Sequence, residues 1–335
     1  MIDVLVWLPV AFLLGWTVIR LGGFDRGFPL VQVVAFTPYA ALVALVVTGA
    51  AAASGRWAAA VAIAAVAVAL AAVVVPRAVP SRRPAGAGQA TQRSDRAGQR
   101  SAGAGQRLRV LTANLLNGTA DAAVLVAHVK VDDVDVLAVQ EFTAEALAAL
   151  DAAGIGELLP YRAVNPVARC QGSGVFSRHP LGPVEVRVHQ CGHTQAAATL
   201  TLPGEPGPTV VVESAHTCAP FRGKTGCWEQ NVANQPTPAR DGPVRVLLGD
   251  FNATLDHVAL RRLLATGYRD AAAERGTGLL PTWPFRGMLA PWITIDHVFV
   301  DRRMAVAACT TRRLAGSDHR GLLAELILPA AGDRG

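Results

Sequence analysis

The sequence predicts three transmembrane helices at the N-terminus followed by an α/β or α+β sandwich. Three observations point there. The composition is 51% apolar and only 17% charged, with a mean hydropathy of +0.32, against roughly 25% charged residues in an ordinary soluble domain. Long uncharged stretches fall within the first 76 residues. From residue 108 onward, short apolar runs end at polar residues and alternate with a few helical segments, as buried strands in a layered domain do.

The anchor comes first. Val4–Ile19 is 16 uncharged residues, extended if Arg20 snorkels; Gly27–Gly55 is 29, and Trp57–Pro76 is 20. A bilayer core takes about 20 mostly apolar residues per helix, so three spans are expected, the first of them short. A cleaved signal peptide is the alternative for the first stretch, but Asp3 stands where a basic segment should precede it. Residues 1–78 are thus read as a three-span anchor, 79–107 as a low-complexity Ala/Gly/Arg-rich linker, and 108–330 as a catalytic domain.

The formal charge of +6 does not indicate a nucleic-acid partner. Residues 1–107 carry ten arginines against three aspartates, a balance of +7, whereas residues 108–335 carry 21 basic against 22 acidic residues. The larger part of the chain therefore lacks the net basic character that neutralising a phosphate backbone calls for.

Two signals of sidedness disagree. Arg20, Arg26, Arg77, Arg82 and Arg83 flank one side of a three-span anchor, which by the positive-inside rule directs the following domain to the cytoplasm. All five cysteines lie after residue 169. Cys170/Cys191 and Cys218/Cys227 are the local pairs that an oxidising compartment would close, buried thiols being the alternative.

Within the C-terminal part, strands are expected at Leu108–Ala113, Val134–Val139, Ser173–Ser177, Pro208–Ser214, Val244–Leu248, Ile295–Val300 and Gly321–Leu328. Helices are expected at Ala120–Lys130, Thr143–Asp151, Cys227–Gln235 and Leu255–Ala265. Asn114, Glu141, His216, Asp250, Asn252, Asp296 and the pair Asp318–His319 all fall at strand ends or beside them. There a fold can collect a hard-metal and phosphate site without burying unpaired charge. Singly, each has a plain explanation as a turn or helix-capping residue.

Taken in order, TANLL, VQE, SGVFSRHP, ESAHT, LLGDFNAT, TWP, IDHVFV and SDHRGLLAEL resemble the endonuclease/exonuclease/phosphatase superfamily over about residues 108–328. GDFN and the late SDH following IDHV are the specific members of that series. The resemblance implies a four-layer sandwich, two packed mixed β-sheets flanked by helices, and a phosphoesterase dependent on Mg²⁺ or Mn²⁺. It implies that Glu141 ligates the metal with Asn114 in support and Asp318 as a further metal-side carboxylate. His216 would contact the scissile phosphate, Asp250 and Asn252 would orient the attacking water and a phosphoryl oxygen, and Asp296 would hold His319. Arg178 is a weak candidate for phosphate contact, with a salt bridge as its ordinary use, and His257 and His297 are assigned ordinary roles. The family carboxylate that partners the first histidine has no clear counterpart, because Glu213 can fall on the wrong face of its strand.

An anchor, a tether and this domain also resemble the superfamily's membrane-bound branch, which includes a glycopeptide (vancomycin/teicoplanin) resistance membrane protein thought to act outside the membrane on a lipid-linked cell-wall carrier. That implies the bilayer and a phosphorylated lipid or lipid-linked carrier as partners, and an extracytoplasmic catalytic domain on a multi-pass protein of the cell membrane. A membrane-tethered nuclease is the alternative, with nucleic acid the less favoured partner, and a catalytically inactive binding module is a second.

Overall fold

The computed structural model describes residues 2–81, 106–203, 209–285 and 292–329. Most of the expected linker, and residues 204–208 and 286–291, lie outside them.

The N-terminal part is helical: α1 (Ile2–Gly22), α2 (Leu30–Val33), a 3-10 turn (Val34–Phe36), α3 (Thr37–Ala53), α4 (Trp57–Val74) and a 3-10 turn (Val75–Ala78). Small side chains let the helices approach closely, with Ala44, Ala59, Ala60 and Ala67 packed beside Leu13, Ile63 and Leu70. The outward faces carry Phe12, Leu42, Val46, Val61 and Val68 in the open, as lipid-facing surfaces do. Two segments, Leu30–Ala53 with 24 residues and Trp57–Ala78 with 22, are long and apolar enough to cross a bilayer. At 1.5 Å per residue they reach about 36 and 33 Å, against a core of about 30 Å.

The expectation of three spans is therefore corrected to two. The apolar part of α1 runs over Val6–Gly22, and Arg20 does not snorkel to lengthen it. Arg20 is buried, its Nε 2.5 Å from Asp256 Oδ1, so the last turn of α1 docks on the C-terminal domain.

The rest of the chain forms two six-stranded mixed sheets. One has the order β11-β12-β1-β2-β4-β3, from β1 (Arg107–Asn114), β2 (Val136–Gln140), β3 (Tyr161–Asn165), β4 (Ser173–Ser177), β11 (Ala305–Arg313) and β12 (Arg320–Ile327). The other has the order β5-β6-β7-β8-β10-β9, from β5 (Leu181–Val188), β6 (Thr194–Leu200), β7 (Val210–His216), β8 (Val244–Asp250), β9 (Tyr268–Asp270) and β10 (Asp296–Asp301). Alternate residues explain the continuous apolar runs. Val110, Val136, Val212, Val246 and Val298 face the space between the sheets, while Leu111, Leu137 and Phe176 face α5 (Ala122–Val131), α6 (Ala144–Ala152) and α7 (Ile155–Leu158). On the far side, Leu247 and Phe299 pack against α8 (Thr225–Ala233) and α9 (Val258–Ala265). A short helix, α10 (Ala271–Glu274), follows β9.

Each sheet contains one parallel pair, β1/β2 and β7/β8, flanked by antiparallel neighbours. The C-terminal ends of the parallel strands and the N-terminal ends of β10 and β12 therefore meet at one edge of the sandwich. This topology positions the site.

The helical segment is seated on the same edge. Arg77 makes a bidentate pair with Asp256 at 2.6 and 2.7 Å, so this carboxylate, with 0% of its side chain exposed, holds two arginines of the helical segment. Asp25 accepts from the N–H of Val258 at 2.9 Å and so caps α9, whose own N-cap residue His257 does not. His257 Nε2 bonds the carbonyl of Val31 at 2.6 Å. Beyond α4, Pro80 bridges Arg275 and Ser81 donates to Glu274.

Removing a buried charge whose partners stay behind costs about 3–5 kcal/mol, whereas an exposed ion pair contributes about 0–1 kcal/mol. Asp256→Ala is expected to lower the unfolding temperature of the full-length protein sharply. Arg162→Ala, which breaks an exposed pair with Asp151, should leave it nearly unchanged. Thermal unfolding in detergent checks this, and equal shifts for the two variants would refute the assignment.

Candidate active site

The eight strand-end positions converge, through register, on one edge of the sandwich, and six of them line one cavity. Asn114 ends β1 opposite Gln140, Glu141 follows β2, and His216 and Asp250 are register partners at the ends of β7 and β8. Asp296 opens β10 directly across from Asp250. Asp318 and His319 immediately precede β12, where Ser317 Oγ donates to the carbonyl of Asn114 and accepts from the N–H of His319. The glycine of GDFN has a steric reason: a Cβ at Gly249 would lie 1.9 Å from the carbonyl oxygen of Ala215 on the neighbouring strand. Glu141 and Asn252 both hold left-handed backbone, with φ of 54° and 47°. Such conformations cost of order 1 kcal/mol and concentrate at functional sites.

Asn114 is the hub. Its Nδ2 donates to Glu141 Oε1 at 3.2 Å and to Asp250 Oδ2 at 3.0 Å, and its Oδ1 accepts from the N–H of Leu116. Glu141 Oε2 accepts from the N–H of Asn117 at 2.7 Å. Asp250 Oδ1 accepts from the N–H of Asn252, whose Nδ2 is held by the Thr217 carbonyl. Asp296 Oδ2 receives His319 Nδ1 at 2.9 Å, which directs Nε2 of that ring toward Asp250 Oδ2, 3.8 Å away, and Asp318 Oδ1, 3.9 Å away. His216 Nε2 approaches the same Asp250 oxygen, also at 3.8 Å.

The two histidines differ in charge. Burial disfavours a proton on His319, but the carboxylates of Asp296, Asp250 and Asp318 outweigh it and push the imidazolium up to about 10. Burial, reinforced by His193, His319 and His189, holds His216 well below the usual histidine range, so it is neutral. Burial pushes the Asp250 carboxyl up to about 7, with Asp296 and Glu141 adding to the shift and His319 opposing it.

Several expectations are revised. Arg178 is not at the site. β4 runs antiparallel to β2, so its C-terminal end lies at the opposite edge of the sheet, where Arg178 pairs with Asp133 at 2.6 Å. Glu213 does not partner His216: three residues earlier on β7, it faces away and bonds Gln195 and Arg187. Nδ1 of His216 accordingly has no hydrogen-bond partner, and the nearest aromatic neighbour is the edge of His193, centroid to centroid 4.7 Å. The local cysteine pairs also give way. Cys191, in the turn between β5 and β6, bonds Cys227 of α8, leaving Cys170 half-buried and Cys218 and Cys309 buried as thiols. Two residues of the TWP motif carry functions not assigned from the sequence. Trp283 Nε1 donates to Asp318 Oδ2 at 3.0 Å, and Thr282 Oγ1 accepts from the N–H groups of Ile295 and Asp296.

The donors suit a hard divalent cation. Glu141, Asp250 and Asp318 line one cavity, Asp296 lies behind His319, and Oδ1 of both Asp296 and Asp318 is buried without a partner. Asp250, Asp296 and His319 offer ligand atoms within 4.8 Å of one another. With His319 holding its proton, the oxygens are the better ligands, and an all-oxygen set matches Mg²⁺ or Mn²⁺.

Residues 111–319 match the family described as Endonuclease/Exonuclease/phosphatase. Among solved structures, the endonuclease/exonuclease/phosphatase from Beutenbergia cavernae aligns with a TM-score of 0.52 at 20% identity, covering 67% of this chain and 72% of that one. Truncated Caenorhabditis elegans TDP2 aligns at 0.52 and 18%, covering 66% and 98%. The family member from Bacteroides vulgatus aligns at 0.52 and 17%, covering 67% and 99%. No curated protein matches the sequence.

The charge assignment is testable in metal-free protein by ¹⁵N imidazole spectroscopy. A raised pKa means that the stabilising imidazolium of His319 is fully present below the unfolded value of about 6.5 and lost only as pH climbs toward the folded one. Between about pH 6 and 8, His319 is expected to stay doubly protonated and His216 neutral. Ordinary titration of either ring near pH 6.5 would contradict this.

Proposed function

The chain belongs to the endonuclease/exonuclease/phosphatase family, whose members are metal-dependent phosphoester hydrolases, and we propose that it is a membrane-anchored enzyme acting on a phosphorylated lipid or lipid-linked carrier. One observation carries this reading. The catalytic cavity, about 500 Å³, is lined on one side by Glu141, His216, Asp250, Asn252, Asp318 and His319. Its facing wall includes Val31, Gln32, Ala35 and Phe36, the first turns of the span Leu30–Ala53. Gln32 Nε2 fastens that wall to the Pro220 carbonyl at 2.9 Å. A phosphate held at the carboxylates is thus adjacent to a membrane helix. Among the described residues lining the cavity, Lys224 is the one lysine or arginine, which is little for a nucleic-acid backbone.

The residues divide the work as follows. Glu141 and Asp318, with Asp250 beside them, would hold a Mg²⁺ or Mn²⁺, which when bound supplies charge neutralisation on the phosphoryl oxygens. Asp250, raised toward neutrality by burial, is suited to orient the attacking water and take its proton, with Asn252 fixing the second contact. The His319 imidazolium, locked by Asp296, donates from Nε2 to a phosphoryl oxygen as charge develops there. Neutral His216 offers Nε2 from the other side. Phosphoryl transfer depends mostly on such positioning and charge stabilisation.

Two observations support an extracytoplasmic site. The Cys191–Cys227 disulfide belongs to an oxidising compartment. Of the arginines that favour the cytoplasm, Arg20 and Arg77 are both buried and share the carboxylate of Asp256, which offsets one of their two charges. Phe24, Phe28, Phe221 and Trp292 are exposed near the seat of the helices, a composition typical of the membrane–water interface.

The test is product release by full-length protein in proteoliposomes with Mg²⁺ or Mn²⁺. Polyprenyl phosphate and pyrophosphate, phosphatidic acid and plasmid DNA are offered in parallel. Lipid hydrolysis is expected, abolished by EDTA and reduced about 10²-fold or more by Glu141→Ala and by His319→Ala. DNA cleavage with the lipids untouched would overturn the proposal.

A further inference from the structure

The catalytic cavity continues past the carboxylates. A second cavity of about 250 Å³ adjoins it and shares two lining residues, Ala35 and Ile293. Its outer side is formed by Tyr39, Leu42 and Trp292. Tyr39 Oη donates to the Trp292 carbonyl and accepts from its N–H, both at 2.9 Å, tying α3 to the segment that enters β10. Leu42 is 60% exposed, and Val46, one turn further along α3, is 65% exposed. Positions four apart share one helix face, so the stripe leads from the second cavity onto the bilayer-facing surface of the span.

The polar side chains lining this second cavity are each already partnered within the protein. Arg77 and Asp256 are paired with each other. Thr254 bonds His257 and the N–H of Asp256, and Thr294 donates to the Leu280 carbonyl. Both ring nitrogens of His297 are engaged, by Asp270 and by the Ala253 carbonyl. Burial lowers the tendency of His297 to hold a proton, but Asp270 more than compensates and raises it. What this cavity mainly offers a ligand is apolar contact from Ala35, Leu42, Leu279, Trp292 and Ile293.

We propose that the two cavities are one binding site for a single hydrocarbon chain, with the phosphate at Glu141, Asp318 and His319. The chain passes between Ala35 and Ile293, crosses Tyr39 and leaves along Leu42 and Val46 into the bilayer. This rests on the lipid-phosphate reading above and adds the chain's route. Ala35 is the small residue of the neck, and Ile293 sets its width. The ligand class that follows is a one-chain lipid phosphate rather than a bulky two-chain phospholipid.

The test uses full-length protein in nanodiscs with Mg²⁺ and straight-chain alkyl monophosphates of increasing length, kept below their micellar concentrations, with binding followed by calorimetry. Each methylene buried is worth up to about a fourfold gain in affinity. Partition into the bilayer contributes equally to every variant, so differences between variants report the channel. Ile293→Trp is expected to weaken the longest alkyl phosphate at least tenfold more than the shortest. Leu42→Trp, at an exposed position that tolerates bulk, should weaken only the longer chains. Leu42→Trp also decides the matter if Ile293→Trp disturbs short-chain binding or the fold. The same dependence on chain length in wild type and Leu42→Trp, or in wild type and a folded Ile293→Trp, would overturn the channel while leaving lipid hydrolysis intact. A wild-type protein that binds no alkyl phosphate and hydrolyses no lipid phosphate would remove the functional reading along with it.

Discussion

The molecule turns on one buried carboxylate. Asp256 lies in the loop after GDFN, 0% of its side chain is exposed, and it holds Arg20 at the end of α1 and Arg77 just beyond α4. Burial alone would favour the neutral acid, but the two guanidinium groups outweigh it and hold the carboxyl below its usual range. Removing the carboxylate would leave two guanidinium groups unpaired in a dry interface, a cost of about 3–5 kcal/mol. The helical segment is therefore fixed to the catalytic loops rather than tethered near them. Because Asp256 lies four residues after Asn252, the docking reference is covalently close to the candidate site. The first turns of the span Leu30–Ala53 can then serve as a wall of the site.

The site itself follows from topology and from a contrast in charge. One parallel pair in each sheet, flanked by antiparallel strands, brings residues separated by up to about 200 positions to a common edge. At that edge three carboxylates line one cavity, and the Asp296–His319 pair keeps one imidazolium among them. His216 lacks the acidic partner that would charge it. The cavity thus combines a cationic donor, a neutral imidazole and an acidic cluster suited to a divalent ion, a combination that serves a tetrahedral anion better than a neutral ligand.

Much of this was legible from the sequence. Largely buried strands gave short, mostly apolar runs, as in LRVLTA and VDVLAV, and the polar residue ending each run marked the edge where the site forms. The edge strand β5 was not legible, because it is mostly exposed and its Val184, Val186 and Val188 point outward. Its partner β6 was hidden by TQAAATL, whose alanines carry little strand preference. Register, which sequence does not reveal, removed Arg178 from the site and turned Glu213 away from His216. The disulfide was misread for a related reason: cysteines near in sequence sit on different elements, and Cys191 meets Cys227 through the packing of a strand turn on a helix. Arg20 was read as a membrane-interface residue because nothing in the first 30 positions reveals a partner at position 256. TWP was visible as a motif, but that its indole orients Asp318 requires the folded loop.

The central claim is that the membrane helix forms part of the catalytic cavity, and photolabelling tests it most directly. An alkyl phosphate carrying a diazirine a few carbons from the phosphate would be bound to full-length protein with Mg²⁺, irradiated, and its adducts mapped by mass spectrometry. The account predicts adducts within Val31–Phe36 and at Ile293, suppressed by excess unlabelled alkyl phosphate. Competed adducts confined to the sandwich, with none on the helical segment, would contradict it.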